Sequence, residues 1–283
     1  KSMKKLIYLV AALCMAACGG EPAADLHVMT FNMRYDNPED GEHNWRFRKE
    51  RAAEAIVSRG IDLLGTQEVL ANQFADLREL LPGYEAVGVG REDGAAQGEF
   101  NAVFWRADRF TLLDSGTFWL SETPETPGSK GWDGACERIA TWAVLRERGG
   151  AELLFVNTHL DHVGKVARRE GVALLAERIE ALRGGRPVIL TGDFNSEQGS
   201  PVIAHVQHTG LLCDAKRMAA ETAGPDWSFS DFGEIPVEYR PLLDYIFVSA
   251  GIEVRRYAVL DETATGGFVS DHAPVEAEIS IVR

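Results

Sequence analysis

Six short stretches of the sequence put carboxylates, amides or imidazoles at the ends of apolar runs. Val28-Met29-Thr30-Phe31 ends in Asn32, and Leu63-Leu64-Gly65-Thr66 ends in Gln67-Glu68. Leu154-Phe155-Val156-Asn157 runs into Thr158-His159, and Val188-Ile189-Leu190-Thr191 runs into Gly192-Asp193-Phe194-Asn195. Phe268-Val269-Ser270 leads into Asp271-His272, whereas Asp244 opens its run, Asp244-Tyr245-Ile246-Phe247-Val248. These side chains hold hard cations through oxygen and exchange protons near neutral pH. A single Asp or Asn after a strand usually closes a turn or caps a helix. Six such endings, all of types suited to metal and proton chemistry, are hard to attribute to turns alone.

The runs that carry them read as strands. The candidates are Leu26–Phe31, Asp62–Thr66, Tyr84–Val89, Ala102–Trp105, Phe110–Leu120, Thr141–Arg146, Glu152–Asn157, Pro187–Thr191, Tyr245–Ser249, Val254–Leu260 and Val275–Val282. The clearest helix is Val166–Arg183, whose Val172, Leu175, Ile179 and Leu182 form one apolar stripe before Gly184-Gly185 stop it. Two more helices are expected near Trp45–Arg59 and Ala71–Leu81. That is too many strands for a doubly wound sheet, and Thr141–Arg146 with Glu152–Asn157 across Arg148-Gly149-Gly150 demands an antiparallel pair. The expected fold is therefore α/β, two mixed β-sheets packed face to face and flanked by helices. An antiparallel strand starts at the rim where its neighbours finish, so Asp244 can join the other five endings on one edge.

In order, Thr30-Phe31-Asn32, Gln67-Glu68-Val69, Asn157-Thr158-His159-Leu160-Asp161, Gly192-Asp193-Phe194-Asn195, Leu243-Asp244-Tyr245-Ile246 and Ser270-Asp271-His272-Ala273-Pro274 resemble the motifs of the endonuclease/exonuclease/phosphatase family of metal-dependent phosphoesterases. The resemblance spans nearly the whole chain and implies a four-layer α/β sandwich, in agreement with the strand count. It implies Glu68 and Asn32 as a first metal site, which Asp271 could complete or neighbour. No Cys/His cluster has zinc spacing, so Mg²⁺ or Mn²⁺ is expected, with Ca²⁺ as a further possibility. His272 and Asp244 suit a hydrogen-bonded pair in which the carboxylate fixes the tautomer and raises the imidazole pKa. By resemblance the pair acts at the scissile phosphate, Asp193 and Asn195 hold and activate water, and His159 donates to a phosphoryl oxygen. Whether His272 or Asp193 is the base stays open at this level.

The segment Gly128–Arg138, GSKGWDGACER, reads as a mobile substrate loop with Arg138 on phosphate and Trp132 on an organic group. The competing reading is a surface loop whose Trp tucks into the core. Asp161-His162 can be a simple turn, although His162 would sit near the site. By resemblance, Phe229 of Ser228-Phe229 is a rim residue in contact with substrate. Trp119 and Trp142 lie in strand candidates and read as core. The cluster Arg46–Arg51 reads as the solvated face of a helix.

The composition narrows the partners. The 283 residues carry 43 acidic against 29 basic side chains, a net charge of −14, with 45% hydrophobic residues. This is globular composition, and the acid excess argues against a basic grip on long polyanions. The expected substrate is a small phosphorylated metabolite or a lipid headgroup, with nucleic acid as the alternative, and the expected state is a monomer. A Ser-His-Asp hydrolase lacks its Gly-x-Ser-x-Gly elbow, and a non-catalytic phosphate-binding lipoprotein would not need every one of these side chains.

Lys4-Lys5 and the apolar run Leu6–Ala17, too short to span a bilayer, form a signal-peptide pattern. Ala16-Ala17-Cys18 resembles a bacterial lipoprotein signal. Residues 1–17 are thus expected to be removed, Cys18 to carry lipid, 18–25 to link, and 26–283 to form one envelope-tethered domain. Cys136 and Cys213 are expected to be unpaired.

Overall fold

The computed structural model describes residues 25–282. The signal-peptide, Cys18 anchor and most of the linker readings lie outside them. A seven-stranded sheet runs edge to edge through β10 (Glu221–Ala223), β12 (Ile252–Val259), β13 (Val275–Ile281), β1 (Asp25–Asn32), β2 (Leu63–Gln67), β4 (Val103–Arg106) and β3 (Tyr84–Val87). A six-stranded sheet runs through β5 (Phe110–Trp119), β6 (Ile139–Glu147), β7 (Glu152–His159), β8 (Val188–Asp193), β11 (Asp244–Ser249) and β9 (Leu212–Asp214). Both are mixed: β1 with β2 and β7 with β8 are parallel, while β13, β11 and β6 run antiparallel to their neighbours. Burial on both faces explains why β8, VILTGD, is an almost unbroken apolar run rather than an alternating one.

Helices cover both outer faces. Helices α1 (Trp45–Val57) and α2 (Ala71–Leu80) seal the seven-stranded sheet, where Trp45, Ala52, Ile56 and Leu77 pack with Met29, Phe31, Leu64 and Phe104. Helices α3 (Lys165–Arg183) and α4 (Pro201–His208) cover the other sheet through Val172, Leu175, Ile179 and Val206. The expected four-layer sandwich is the observed one, and Gly184 ends α3 in the left-handed region at φ 51°. The expected antiparallel β6–β7 hairpin forms, with Arg146 opposite Glu152. Helix α4 was not anticipated, although Ser200 caps it and Pro201 opens it. Strands β9 and β10 and the helices α5 (Ala215–Met218) and α6 (Glu262–Thr265) are three- or four-residue elements too short to show a period. Trp119 is core as expected, but Trp142 is half-buried, laid across Gly116 where a Cβ would sit 2.9 Å from the indole.

Near one end the space between the sheets is polar. Asn157 Nδ2 donates to the carbonyls of Thr66 and Ala102, and Asn157 Oδ1 accepts from Gln67 Nε2 at 2.6 Å and Thr191 Oγ1 at 3.1 Å. Gly65 permits this approach, since a Cβ there would lie 2.2 Å from Thr191 Oγ1. Asn157 and Gln67 therefore fasten one sheet to the other directly beneath the rim. No helix among the described residues is long and apolar enough to cross a membrane.

Candidate active site

Strand register assembles the rim. His159 stands opposite Asp193 across the parallel β7–β8 pair, and Asp244 stands opposite Asp193 across the antiparallel β8–β11 pair. On the facing sheet Asn32 is level with Gln67, which places Glu68 one residue beyond it. Asn32 Nδ2 donates to Glu68 Oε1 and to Asp193 Oδ2, both at 3.0 Å, and so ties the two sheets at the site. Asp271-His272 enters from the loop before β13. His272 Nδ1 lies 2.7 Å from Asp244 Oδ2, and its Nε2 lies 3.8 Å from Asp193 Oδ2. Asn195 donates its backbone N–H to Asp193 Oδ1 at 2.8 Å, and its Nδ2 lies 2.9 Å from His159 Nε2. Glu68 and Asn195 hold left-handed backbone at φ 61° and 44°, a cost that non-glycine residues bear mainly at functional turns.

Glu68, His159, Asp193, Asn195, Asp271 and His272 line one cavity of about 270 Å³, with Asn32 and Asp244 buried behind it. Arg138 and Phe229 line it too. Arg138 is 6% exposed; its Nη2 meets His162 Nδ1 at 2.9 Å, its Nε is 3.5 Å from Asp161, and its Nη1 is buried without a partner. The Phe229 ring lies 4.7 Å from the His272 ring. Trp132 does not line the cavity; it is half-buried and its backbone N–H donates to Glu122 Oε2. The loop 128–138 is also less free than expected. Asp161 accepts from the N–H groups of Ala135 and Cys136, and Asp133 accepts from those of Val166 and Ala167 at the start of α3. Cys136, half-buried at the cavity, and Cys213, exposed, are both unpaired.

His162, read as lying near the site, does line the cavity, while several other wall residues escaped the sequence reading: Arg34, Tyr35, Arg91 and Glu99. These sit in loops with no apolar run to mark them; the only local signal was the glycine density around Arg91 and Glu99. Arg48 requires a correction. It was read as part of a solvated face, yet it is 2% exposed and donates to the carbonyls of Met33, Arg34, His43 and Val269. It therefore clamps the Asn32 turn to the segment that precedes Asp271-His272, and burial lowers its pKa to about 10.

The charges are arranged in tension. Burial, then the neighbouring Asp244 charge, pushes the Asp193 carboxyl up to about 7. Burial opposes charge on His272, but Asp244 outweighs it and holds the imidazole well above its ordinary pKa. Burial, with Arg138 and Arg91 nearby, pushes His159 well below the usual value, so it is neutral. Burial also raises Asp271, despite Arg34 Nη1 at 3.7 Å and Ser270 Oγ at 3.0 Å. Ligand atoms of Glu68, His159 and Asp193 lie within 4.8 Å of one another, as do those of Asp193, Asp244 and His272. Asp271 belongs to neither trio. A divalent cation fits the first trio, because it would neutralise a buried carboxylate that the protein leaves poorly compensated. Asn32 turns Nδ2 towards Glu68 and Asp193 while its Oδ1 accepts from the Arg34 N–H at 3.0 Å, so its amide must rotate to act as an oxygen ligand.

A family model described as the Endonuclease/Exonuclease/phosphatase family matches residues 29–272. The chain belongs to this family, whose members are hydrolases of phosphoesters. A solved endonuclease/exonuclease/phosphatase from Bacteroides vulgatus is 42% identical, with a TM-score of 0.88, covering 91% of this chain and 99% of that chain. A solved mannosyl-6-phosphatase of Bacteroides thetaiotaomicron is 38% identical, with a TM-score of 0.85, covering 90% of this chain and 100% of that chain. Among curated proteins, the probable CCR4-Not complex 3'-5'-exoribonuclease subunit Ccr4 of Encephalitozoon cuniculi is 25% identical over 254 residues, 75% of this chain. The chain spans 50% of that relative's length, and 34% of carbon catabolite repressor protein 4 homolog 3 of Arabidopsis thaliana.

Proposed function

We propose that this protein hydrolyses the phosphoester of a small phosphorylated molecule with the help of a divalent cation, Mg²⁺ or Mn²⁺. The observation that carries the reading is the cross-strand row His159–Asp193–Asp244 with His272, set beside Glu68 in a cavity of about 270 Å³. That volume, just below the roughly 300–1,000 Å³ of drug-sized ligand sites, gives room for one phosphoester group and its nearest substituent. The similarity to a mannosyl-6-phosphatase supports the small-molecule reading.

Glu68 and Asp193, with Asn32 after rotation of its amide, would hold the cation, which supplies positive charge to the phosphoryl oxygens when bound. Held charged by Asp244, His272 stabilises the anionic transition state rather than accepting a proton. Asp193, with Asn195 donating its N–H to it, would then hold and orient the attacking water beside the cation. The buried donors of His159 and Arg138 that lack protein partners, Nδ1 and Nη1, are candidate phosphoryl contacts. We further propose that Cys18 tethers the domain to a bacterial envelope; metabolic labelling with radioactive palmitate would test this, and an unlabelled Cys18→Ser variant is the expected control.

The competing reading is cleavage of nucleic acid, favoured by the exoribonuclease description of the curated relative. Phosphate release from sugar and inositol phosphates, set against cleavage of an oligonucleotide and of bis-p-nitrophenyl phosphate in Mg²⁺, separates the two. Preferred turnover of the small monoesters is expected; preferred cleavage of the oligonucleotide overturns the small-molecule reading. Glu68→Gln should lower turnover by about 10- to 100-fold, with partial recovery in excess Mn²⁺.

A further inference from the structure

One wall of the cavity has no part in the chemistry just described. Residues 88–101, between β3 and β4, fold back on themselves as a hydrogen-bonded hairpin. The Arg91 N–H donates to the Glu99 carbonyl and the Glu92 N–H to the Gln97 carbonyl, both at 3.1 Å. Asp93 Oδ1 closes the tip by accepting from the N–H groups of Ala95 and Gln97. Trp119 Nε1 donates to the Arg91 carbonyl at 2.6 Å and fixes the stem to β5. Gly90 lets the two arms meet, since a Cβ there would lie 2.2 Å from the Gln97 carbonyl oxygen. Arg91 and Glu99 therefore stand opposite each other on a rigid stem, bridged at 2.6 Å, and both line the cavity. Arg91 Nε is buried without a partner.

We propose that Arg91 and Glu99 are the specificity residues of this site, reading the hydroxyl groups of a polyhydroxylated ring whose phosphate sits at Asp193 and His272. The substrate class is then a phosphorylated sugar or cyclitol; the inference rests on the hydrolase reading above. A hydroxyl both donates and accepts, so a carboxylate beside a guanidinium offers a vicinal diol one partner of each kind. A second phosphate has only acceptors and would meet the Glu99 charge, while Arg91 is already neutralised by its partner. An acyl chain would desolvate the pair and offer neither side chain a hydrogen-bond partner beyond the other. A nucleobase would call for a free aromatic platform, but of the cavity's aromatic rings Phe229 lies against His272 and Tyr35 is covered by the Arg34 guanidinium at 4.6 Å.

The test compares kcat/KM for mannose 6-phosphate, inositol 1-phosphate, 2'-deoxyadenosine 5'-monophosphate (a nucleotide without a vicinal diol) and p-nitrophenyl phosphate in wild type, Glu99→Gln and Arg91→Lys. Wild type should favour one of the two ring polyols, and which one it favours distinguishes sugar from cyclitol. Each variant should shrink the preference over p-nitrophenyl phosphate by roughly 10- to 100-fold, chiefly through KM. Glu99→Gln keeps the side-chain volume, and Arg91→Lys keeps the charge while losing the fork, so either variant suffices if the other misfolds. A preference that stays within about threefold of wild type, or a wild-type preference for the nucleotide, overturns the proposal while the hydrolase reading stands. Release of phosphate from none of the four by wild type overturns both.

Discussion

A groove of about 600 Å³ on the outer face of the seven-stranded sheet, beside α1 and α6, is roomier than the candidate site. It is lined by Arg51, Arg59, Arg256, Glu54, Glu276 and Glu278, so it is as rich in charge as the rim. Its ion pairs close within it: Glu276 takes Arg59 at 2.8 Å and Arg256 at 3.2 Å, and Arg256 also reaches Glu278 at 3.4 Å. The smaller rim cavity closes some pairs too, Arg91 with Glu99 and His272 with Asp244, but leaves other charge open. Asp193 is pushed up to about 7 beside Asp244, and buried polar atoms of His159, Arg138 and Asp244 lack partners in the protein. The contrast teaches that neither volume nor charge count marks a working site. Charge that the protein itself leaves uncompensated does, because it must be repaid by a ligand.

Substitutions can break this contrast. The largest expected effect is at the rim: His272→Ala should lower kcat by about 10²–10⁴-fold, and excess Mn²⁺ should not restore it, in steady-state assays on the preferred substrate. Next comes Arg48→Met, which strands the carbonyls of Met33, Arg34 and Val269; denaturant unfolding should show a loss of about 2–4 kcal/mol. Asp161→Asn should cost less and depend on pH. Burial opposes the Asp161 charge, but the N–H groups of Gly164, Val163 and Ala135, together with Arg138, hold its carboxyl well below the usual carboxylate range. A lowered folded pKa stabilises above the unfolded value and ceases to do so as pH falls through the folded one. The melting-temperature gap between wild type and Asp161→Asn should therefore be full at neutral pH and narrow below about pH 4. The smallest effect is in the outer groove, where Glu278→Gln, at a partly exposed pair with Arg256, should change stability by less than about 1 kcal/mol and leave turnover alone. A large loss of turnover there would erase the distinction between the two regions.

The sandwich and most of the rim were legible in the sequence for one reason. Strands buried on both faces are continuous apolar runs, so a polar residue at the end of β1, β2, β7 or β8 stands out against them. Parallel pairing brings such ends level, and the antiparallel β11 delivers Asp244 to the same height. The hairpin and helix residues Arg91, Glu99 and Arg48 left no such trace. Arg91 and Glu99 meet only because a hairpin closes, and Arg48 sits in a helix whose charged spacing looked solvated until the Asn32 turn and the segment before Asp271 closed over it. Trp132 misled for the complementary reason: a Trp among glycines suggests a substrate contact, yet its backbone at φ 49° and its bond to Glu122 settle it off the cavity.

The central claim, that the uncompensated rim is a divalent-cation site, is tested most directly by anomalous diffraction from crystals soaked in Mn²⁺. The account predicts a strong peak bounded by Glu68 and Asp193 and none in the groove at Glu276. A peak at the groove with none at the rim, or no rim peak at saturating Mn²⁺, would contradict it.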